Sequence, residues 1–454
     1  MGPAQDFFFF RRIGLILTNL SSMLLLQGLI GYFVLIGIAI LFSTNRRAIN
    51  WKLVGVGVLL QIVFGFLVTE VGFVKAGFEA VSNGFVKLLS FSSAGAEFLF
   101  GELAKPGSAA GTGYIFAFNV LPTIIFFSTV TAGLYYLGVL QKIVYGIAWV
   151  MSKGMRLSGA ESLSAAGNIF LGQTEAPLLV RPFIPKMTRS ELMSLMTGGM
   201  ATLAGGVLAA YVAFLGGNDP AQQAIFAAHL LTASIMNAPA GIVLAKILVP
   251  ETEPEKINTE LEVNKESLGV NVIDAMSTGA ADGLRLALNV GGMLLAFIAV
   301  IALLNYILLS IGGATGLNEV IVSSTEGRFE GLNFQYILGQ IFRVFAFLMG
   351  SPWQDTLQVG SLLGQKTAVN EFVAYLDLAN MKAEGTLSEK SIILATYALC
   401  GFSNFSSIAI QIGGIGGMAP SQQGNLSKLG LRALLGASIA CMMTATIAGI
   451  LFEL

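Results

Sequence analysis

The chain has 454 residues, 55% of them hydrophobic and 11% charged, with 25 basic against 26 acidic side chains. Soluble domains carry about 25% charged residues, so a wetted globular surface is excluded, and the near-zero net charge excludes the basic field that nucleic acid requires. A mean hydropathy of +0.77 points to a chain surrounded by lipid.

At the N-terminus, Phe7 to Phe10 precede Arg11 and Arg12 with no small-residue cleavage site, which predicts an interfacial helix with an aromatic anchor instead of a signal peptide. A spanning helix needs about 20 apolar residues. Eight stretches are candidates: 13–44, 53–69, 106–141, 192–218, 221–245, 286–318, 391–425 and 433–452. Asn45, Arg46, Arg47 and Lys52 flank the first tight loop and predict that it is cytoplasmic, with the N-terminus outside; Arg11 and Arg12 oppose that orientation. Residues 71–101 space Lys75, Glu79, Lys87 and Glu97 among phenylalanines, the pattern of an amphipathic helix lying along the membrane face.

Two apolar segments are repeatedly interrupted. Residues 158–186 hold Gly159, Gly167, Gly172, Pro177, Pro182 and Pro185 around Asn168, Gln173, Thr174 and Glu175, and residues 333–366 bend at Gly350, Ser351 and Pro352. Each predicts a re-entrant helical hairpin, whose freed backbone groups are tolerated only inside protein or against a wet cavity. Between them, residues 250–267 carry six Glu and two Lys and read as a solvated linker with no further role.

Both interrupted segments have similar sequels. Ser190-Glu191 and Ser388-Glu389 suit helix starts, with Ser as N-cap and Glu at the positive end of the dipole. Gly-rich or polar clusters then follow at 197–206 and 400–407. Paired interrupted helices in two halves are the mark of a repeat-built secondary transporter with its site at the interruptions. The fold class is therefore an all-α polytopic membrane protein. It has about eight transmembrane helices, two re-entrant hairpins and an interfacial helix, arranged as inverted repeats. The expected division is spans and the interfacial helix over 1–157, a first repeat over 158–249, the acidic linker 250–267, a span within 268–331 and a second repeat over 332–454.

A carboxylate at mid-membrane is unfavourable by about 2.5–3.5 kcal/mol, so Glu175 and Glu371 demand a reason. Glu161, Glu191 and Asp377 lie nearer segment ends and suit capping. Gln173, Thr174 and Glu175 present an amide, a hydroxyl and a carboxylate in succession, a set that matches the donor–acceptor edge of a planar base. Glu371 with Asn404 and Ser407 suits a polyol, with Val207 and Phe402 as apolar contacts. Asn168 and Thr202 place oxygens beside predicted helix breaks, a set for a hard cation such as sodium; the alternative is that they only satisfy the broken backbone. Residues 360–367 lack the glycine spacing of a phosphate loop. His229 is the only histidine and reads as a satisfied buried side chain, and Cys400 and Cys441 read as packing residues. An intramembrane enzyme lacks a nucleophile–base pair, and a channel would repeat its polar residues along a pore.

The stretches Gly172 to Leu179, Gly198 to Thr202, Asn370 to Ala374 and Ser403 to Ser407 resemble the hallmark motifs of the concentrative nucleoside transporters, in the same order and across most of the chain. The resemblance implies a homotrimer in lipid, in the bacterial inner membrane, moving nucleosides by an elevator. By motif position it implies base contacts from Gln173, Thr174, Glu175 and Val207, and ribose contacts from Glu371, Asn404, Ser407 and Phe402. It also implies a sodium site from the Asn168 and Thr202 side chains with the carbonyls of Leu171 and Leu203. Sodium is the expected coupling ion, with no other cofactor and no nucleic-acid partner. The Gln-Thr-Glu run resembles the sodium branch, and a proton-coupled transporter of the same fold is the alternative.

Overall fold

Lipid offers backbone N–H and C=O groups no partner, so apolar runs of this length pair their polar groups internally as helices. The computed structural model describes residues 23–105, 115–217, 219–261 and 269–453, with helices and no strand among the described residues. The aromatic N-terminal anchor, with Arg11 and Arg12, lies outside the described residues, as do 262–268 of the linker.

Helices α1 (Met23–Leu41) and α2 (Trp51–Glu70) are joined by a short turn. There Arg46 donates to the carbonyls of Ile40 and Leu41, placing a cation at the negative end of the α1 dipole. The amphipathic stretch is one helix, α3 (Gly72–Phe100), followed by α4 (Phe116–Tyr136) and α5 (Val139–Met155). The first hairpin is asymmetric: its first arm is α6 (Gly159–Gly167), and its second is two 3-10 turns, Ala176–Val180 and Ile184–Lys186. Pro177 and Pro185 open those turns, and their missing N–H groups keep that arm from closing as an α-helix.

Next come α7 (Arg189–Ala201), a break, α8 (Gly205–Gly216) and α9 (Pro220–Leu248). The second half runs α10 (Val272–Thr315), α11 (Leu317–Ser324), α12 (Phe334–Leu348), α13 (Thr356–Ala368) and α14 (Glu371–Ala383). It ends with α15 (Glu389–Leu399), a break, α16 (Phe405–Met418) and α17 (Gln423–Glu453).

Seven helices or helix pairs among the described residues are long and apolar enough to cross a membrane. The eighth expected span, 391–425, is instead the two short pieces α15 and α16. Burial separates the spans. Over an 18-residue apolar stretch of each helix, 89% of the residues of α9 are buried within the protein against 11% of those of α10, so α9 lies at the centre and α10 presents an apolar flank outward. At 1.5 Å per residue, the 44 residues of α10 extend about 66 Å, roughly twice the hydrocarbon core, so it is strongly tilted or projects beyond the membrane.

Three local expectations are corrected. The N-cap of α7 is Thr188, not Ser190: its hydroxyl accepts from the Glu191 amide at 3.2 Å and the Glu191 carboxylate returns to the Thr188 amide at 2.8 Å. The bend at Gly350, which adopts φ +94° as glycine does readily, lies between α12 and α13, but a further bend after α13 carries Glu371. The second interrupted segment is thus three helices long. The acidic linker is not merely solvated. Glu251 accepts from the Thr188 hydroxyl at 2.7 Å and lies 3.9 Å from Lys246, and the Asn258 carbonyl accepts from the Gly159 amide at 2.9 Å. It straps the base of the first hairpin.

Candidate functional site

The two broken helices meet at their breaks. Phe402 donates its amide to the Thr202 carbonyl at 3.3 Å, and a Cβ on Gly401 would stand 2.7 Å from the Ala201 carbonyl oxygen, so only glycine fits there. A helix that ends inside the protein leaves carbonyls without partners. Asn237 of α9 supplies them, donating to Ala201 at 2.8 Å and to Cys400 at 2.7 Å. The single S–H of Cys441 in α17 is shared between the same two carbonyls, at 3.4 and 3.3 Å. Each half thus follows its broken helix with a long helix that bonds both breaks. Cys400 and Cys441 are both buried.

The second hairpin ends at Asn370, whose side chain caps α14 by accepting from the Val373 amide at 3.0 Å. Glu371 follows in the first turn, at the positive end of that dipole, and is only 3% exposed. Its two oxygens are held by different elements: Tyr211 of α8 donates to one at 3.0 Å and Asn404 to the other at 2.9 Å. The Tyr211 ring is fixed by stacking on Tyr375, with centroids 4.2 Å apart. Asn404 is in turn the N-cap of α16, accepting from the Ser407 amide at 2.9 Å.

The first hairpin joins this network. Gln173 donates to the Ser407 hydroxyl at 3.0 Å, and Gln411 donates to Gln173 at 3.2 Å and to the Met196 carbonyl at 3.1 Å. A continuous hydrogen-bonded chain therefore runs Gln173–Ser407–Asn404–Glu371 between the two hairpin tips. Val207 is buried and Phe402 half-buried near the breaks. Thr174 packs toward Gly414. Glu175 stands apart: it is exposed, with a carboxylate oxygen folded over Gly172.

Asn168 and Thr202 both lie at Gly198 of α7. Asn168 caps the C-terminal end of α6, is fully buried, and neither its amide oxygen nor its nitrogen has a hydrogen-bond partner. Each buried polar atom left unpaired is unfavourable by about 1–3 kcal/mol, and a hard cation is what an orphaned oxygen accommodates. Asn168 lies against the last turn of α7, its nitrogen 3.3 Å from where a Cβ on Gly198 would stand. Thr202 donates its hydroxyl proton to the Gly198 carbonyl at 2.9 Å, which leaves its lone pairs free. The Phe170 carbonyl accepts from Gly205 at 3.1 Å, tying the hairpin turn that includes Leu171 to the break that includes Leu203.

Glu161 and Glu191, which lie nearer segment ends, both cap helices. Glu161 closes a capping box with Ser158 and pairs with Lys246 at 2.5 Å. His229 meets the Tyr397 hydroxyl at 3.2 Å on the wall of a cavity of about 810 Å³ between α2, α3, α9, α15 and α17, away from the hairpin tips. Tyr211, Gln411 and Asn237 were not anticipated. Each side chain is buried, Tyr211 in the apolar α8, Asn237 in α9 and Gln411 on the buried edge of α16, where an unpaired polar group is unfavourable.

Three family models match in succession: Na+ dependent nucleoside transporter N-terminus over 30–103, nucleoside recognition over 117–218 and Na+ dependent nucleoside transporter C-terminus over 229–449. An uncharacterized transporter of Haemophilus influenzae is 41% identical, over 95% of this chain and 99% of its own. Solute carrier family 28 member 3 of Homo sapiens is 40% identical over 93% of this chain, which spans 59% of that longer protein. CNTnw in an inward-facing substrate-bound state matches with a TM-score of 0.84 at 40% identity, over 94% of this chain and 98% of that one. An outward-facing variant of CNTnw matches at 0.85, again 40% identical, over 95% of this chain and 99% of that one. With these motifs, this helical architecture, and the Haemophilus influenzae transporter and CNTnw matched along nearly their whole length, the chain belongs to the concentrative nucleoside transporter family, and is an integral membrane nucleoside transporter that works by alternating access, not an enzyme.

Proposed function

We propose that this protein is a sodium-coupled symporter that imports nucleosides across a bacterial inner membrane, binding the solute where the two hairpin tips meet. The hydrogen-bonded chain from Gln173 to Glu371 carries this reading, because it joins an amide suited to a base edge to a carboxylate suited to ribose. Gln173, Thr174 and Glu175 take the base, with Val207 beside it. Glu371, Asn404 and Ser407 take the ribose hydroxyls, with Phe402 beside them. In binding, the base displaces the contact between Gln173 and Ser407, and the hydroxyls donate to a carboxylate already oriented by Tyr211. Hydrogen bonds to a charged partner contribute about 1.5–3 kcal/mol each, enough to set affinity.

Sodium binds through the side-chain oxygens of Asn168 and Thr202 with the carbonyls of Leu171 and Leu203. These atoms belong to the hairpin turn and the helix break, so the ion stabilises the arrangement that holds Gln173 in place. Linkage then requires sodium and nucleoside to raise each other's affinity. One inward sodium contributes about 2.3 kcal/mol per 100 mV of membrane potential.

Transport is an elevator motion in which 158–249 and 332–454 move against a scaffold of 1–157 and 268–331. The largely exposed apolar flank of α10 suits a homotrimer embedded in lipid. Uptake of radiolabelled uridine into proteoliposomes tests the coupling. Uptake is expected to collapse when choline replaces sodium, and uptake that persists in choline but follows an imposed pH jump refutes sodium coupling.

A further inference from the structure

Both halves of the chain build the same corner, where the C-terminal end of a hairpin arm faces the last turn of a broken helix. They fill it differently. In the first half, Asn168 at the end of α6 lies against Gly198 of α7 with neither polar atom paired. In the second half, Lys366 in the last turn of α13 lies against α15 and donates from Nζ to the Ala398 carbonyl at 2.8 Å. Lys366 is 2% exposed.

The correspondence between the corners is fixed independently of these side chains. Asn237 donates to both Ala201 and Cys400, and Cys441 shares its S–H between them, so those two carbonyls are equivalent points on α7 and α15. Ala398 precedes Cys400 as Gly199 precedes Ala201, and Gly198, which Asn168 touches, is the adjacent residue.

Each corner therefore presents the carbonyl end of a helix, which carries about half a negative charge, within the buried interior. Carbonyl oxygens suit a hard cation. The first corner offers only neutral ligands, the Asn168 amide and the Thr202 hydroxyl. The second carries a cation on its own side chain. Lys366 and Glu371 also flank the same bend, between α13 and α14.

We propose that Lys366 is a tethered cation that stands, in the second half, where the first half takes sodium from solution, so that one sodium accompanies each nucleoside. This rests on the assignment of Asn168 and Thr202 to sodium.

The test uses the full-length protein in proteoliposomes. The sodium dependence of uridine uptake is measured for the wild type, Lys366→Met and Lys366→Asn, with reversal potentials for the wild type. Wild-type uptake is expected to show a Hill coefficient of about one for sodium and one charge moved per uridine. Lys366→Met, which matches the length but has neither charge nor oxygen, is expected to lower uptake about tenfold or more at every sodium concentration, the loss of a charge-assisted contact. Lys366→Asn, which restores an oxygen ligand, is expected to recover at high sodium with a Hill coefficient moving toward two.

A purely structural lysine predicts that the two variants respond to sodium identically, and that result overturns the proposal. Should both variants fail to elute as folded protein, the wild-type reversal potential decides: one charge per uridine supports the assignment and two overturn it. Sodium-independent wild-type uptake removes the first sodium site, and this inference with it. Sodium-dependent wild-type uptake with indistinguishable variants removes only the role of Lys366.

Discussion

Replacing Glu371 by glutamine keeps the shape of the side chain but changes what it offers. The carboxylate accepts from Tyr211 at 3.0 Å and from Asn404 at 2.9 Å, and both oxygens retain lone pairs for a ribose hydroxyl. In Glu371→Gln one oxygen becomes an N–H₂ group that faces one of those donors, and the remaining oxygen is neutral. The ribose then loses about 1.5–3 kcal/mol of charge-assisted bonding, roughly 10- to 150-fold in Kd. A dideoxy analogue lacking the 2′- and 3′-hydroxyls never makes those bonds, so its affinity is expected to fall by less than about threefold. Calorimetry on purified protein in saturating sodium, with uridine and dideoxyuridine in parallel, measures the difference. Equal losses for the two ligands refute the assignment of Glu371 to ribose.

Asn168→Ala is expected to raise half-saturating sodium at least about tenfold while leaving uridine affinity nearly intact once sodium saturates; a sodium titration of uridine binding checks this. Lys246→Met leaves Glu161 buried without its counter-charge, the pair being 2.5 Å apart with Glu161 at 1% side-chain exposure. Removing one partner of a buried pair is unfavourable by about 3–5 kcal/mol, and thermal unfolding is expected to show a large loss that Glu161→Gln in the same chain partly reverses. Asn237→Ala removes two donated bonds from the Ala201 and Cys400 carbonyls, while Cys441 still serves both. The expected loss is about 1–3 kcal/mol of stability, read by denaturation in detergent, with the preference of uridine over its dideoxy analogue unchanged.

The membrane class and the spans other than 391–425 were legible because lipid imposes a length and a composition on every helix that crosses it, whereas 391–425 is the two short pieces α15 and α16. The breaks were legible too, since Gly and polar clusters inside an apolar run free backbone groups that only a buried or wet bend accommodates. What escaped was the use made of those breaks. Residues 250–261 read as solvent-facing by charge alone, yet Glu251 and the Asn258 carbonyl pin them to the first hairpin, a long-range contact that composition does not encode. The bend at Gly350 drew attention from the later one at Asn370, where capping geometry, visible only in three dimensions, points Glu371 inward. Glu371, Gln173, Asn404 and Ser407 were named from chemistry and family resemblance, and the structure brings them into one network. Glu175 was named with them, and it lies outside that network. Tyr211, Gln411 and Asn237 carry no charge, so a reading guided by the penalty for burying charge passed over them.

The most direct measurement is an experimental structure of the protein with sodium and uridine bound. Uridine is expected between the turn at Gln173 to Glu175 and the side chains of Glu371 and Asn404, with an ion against Asn168 and Thr202. Uridine seated elsewhere, for instance in the cavity beside His229, with the contact between Gln173 and Ser407 intact, contradicts the proposed site.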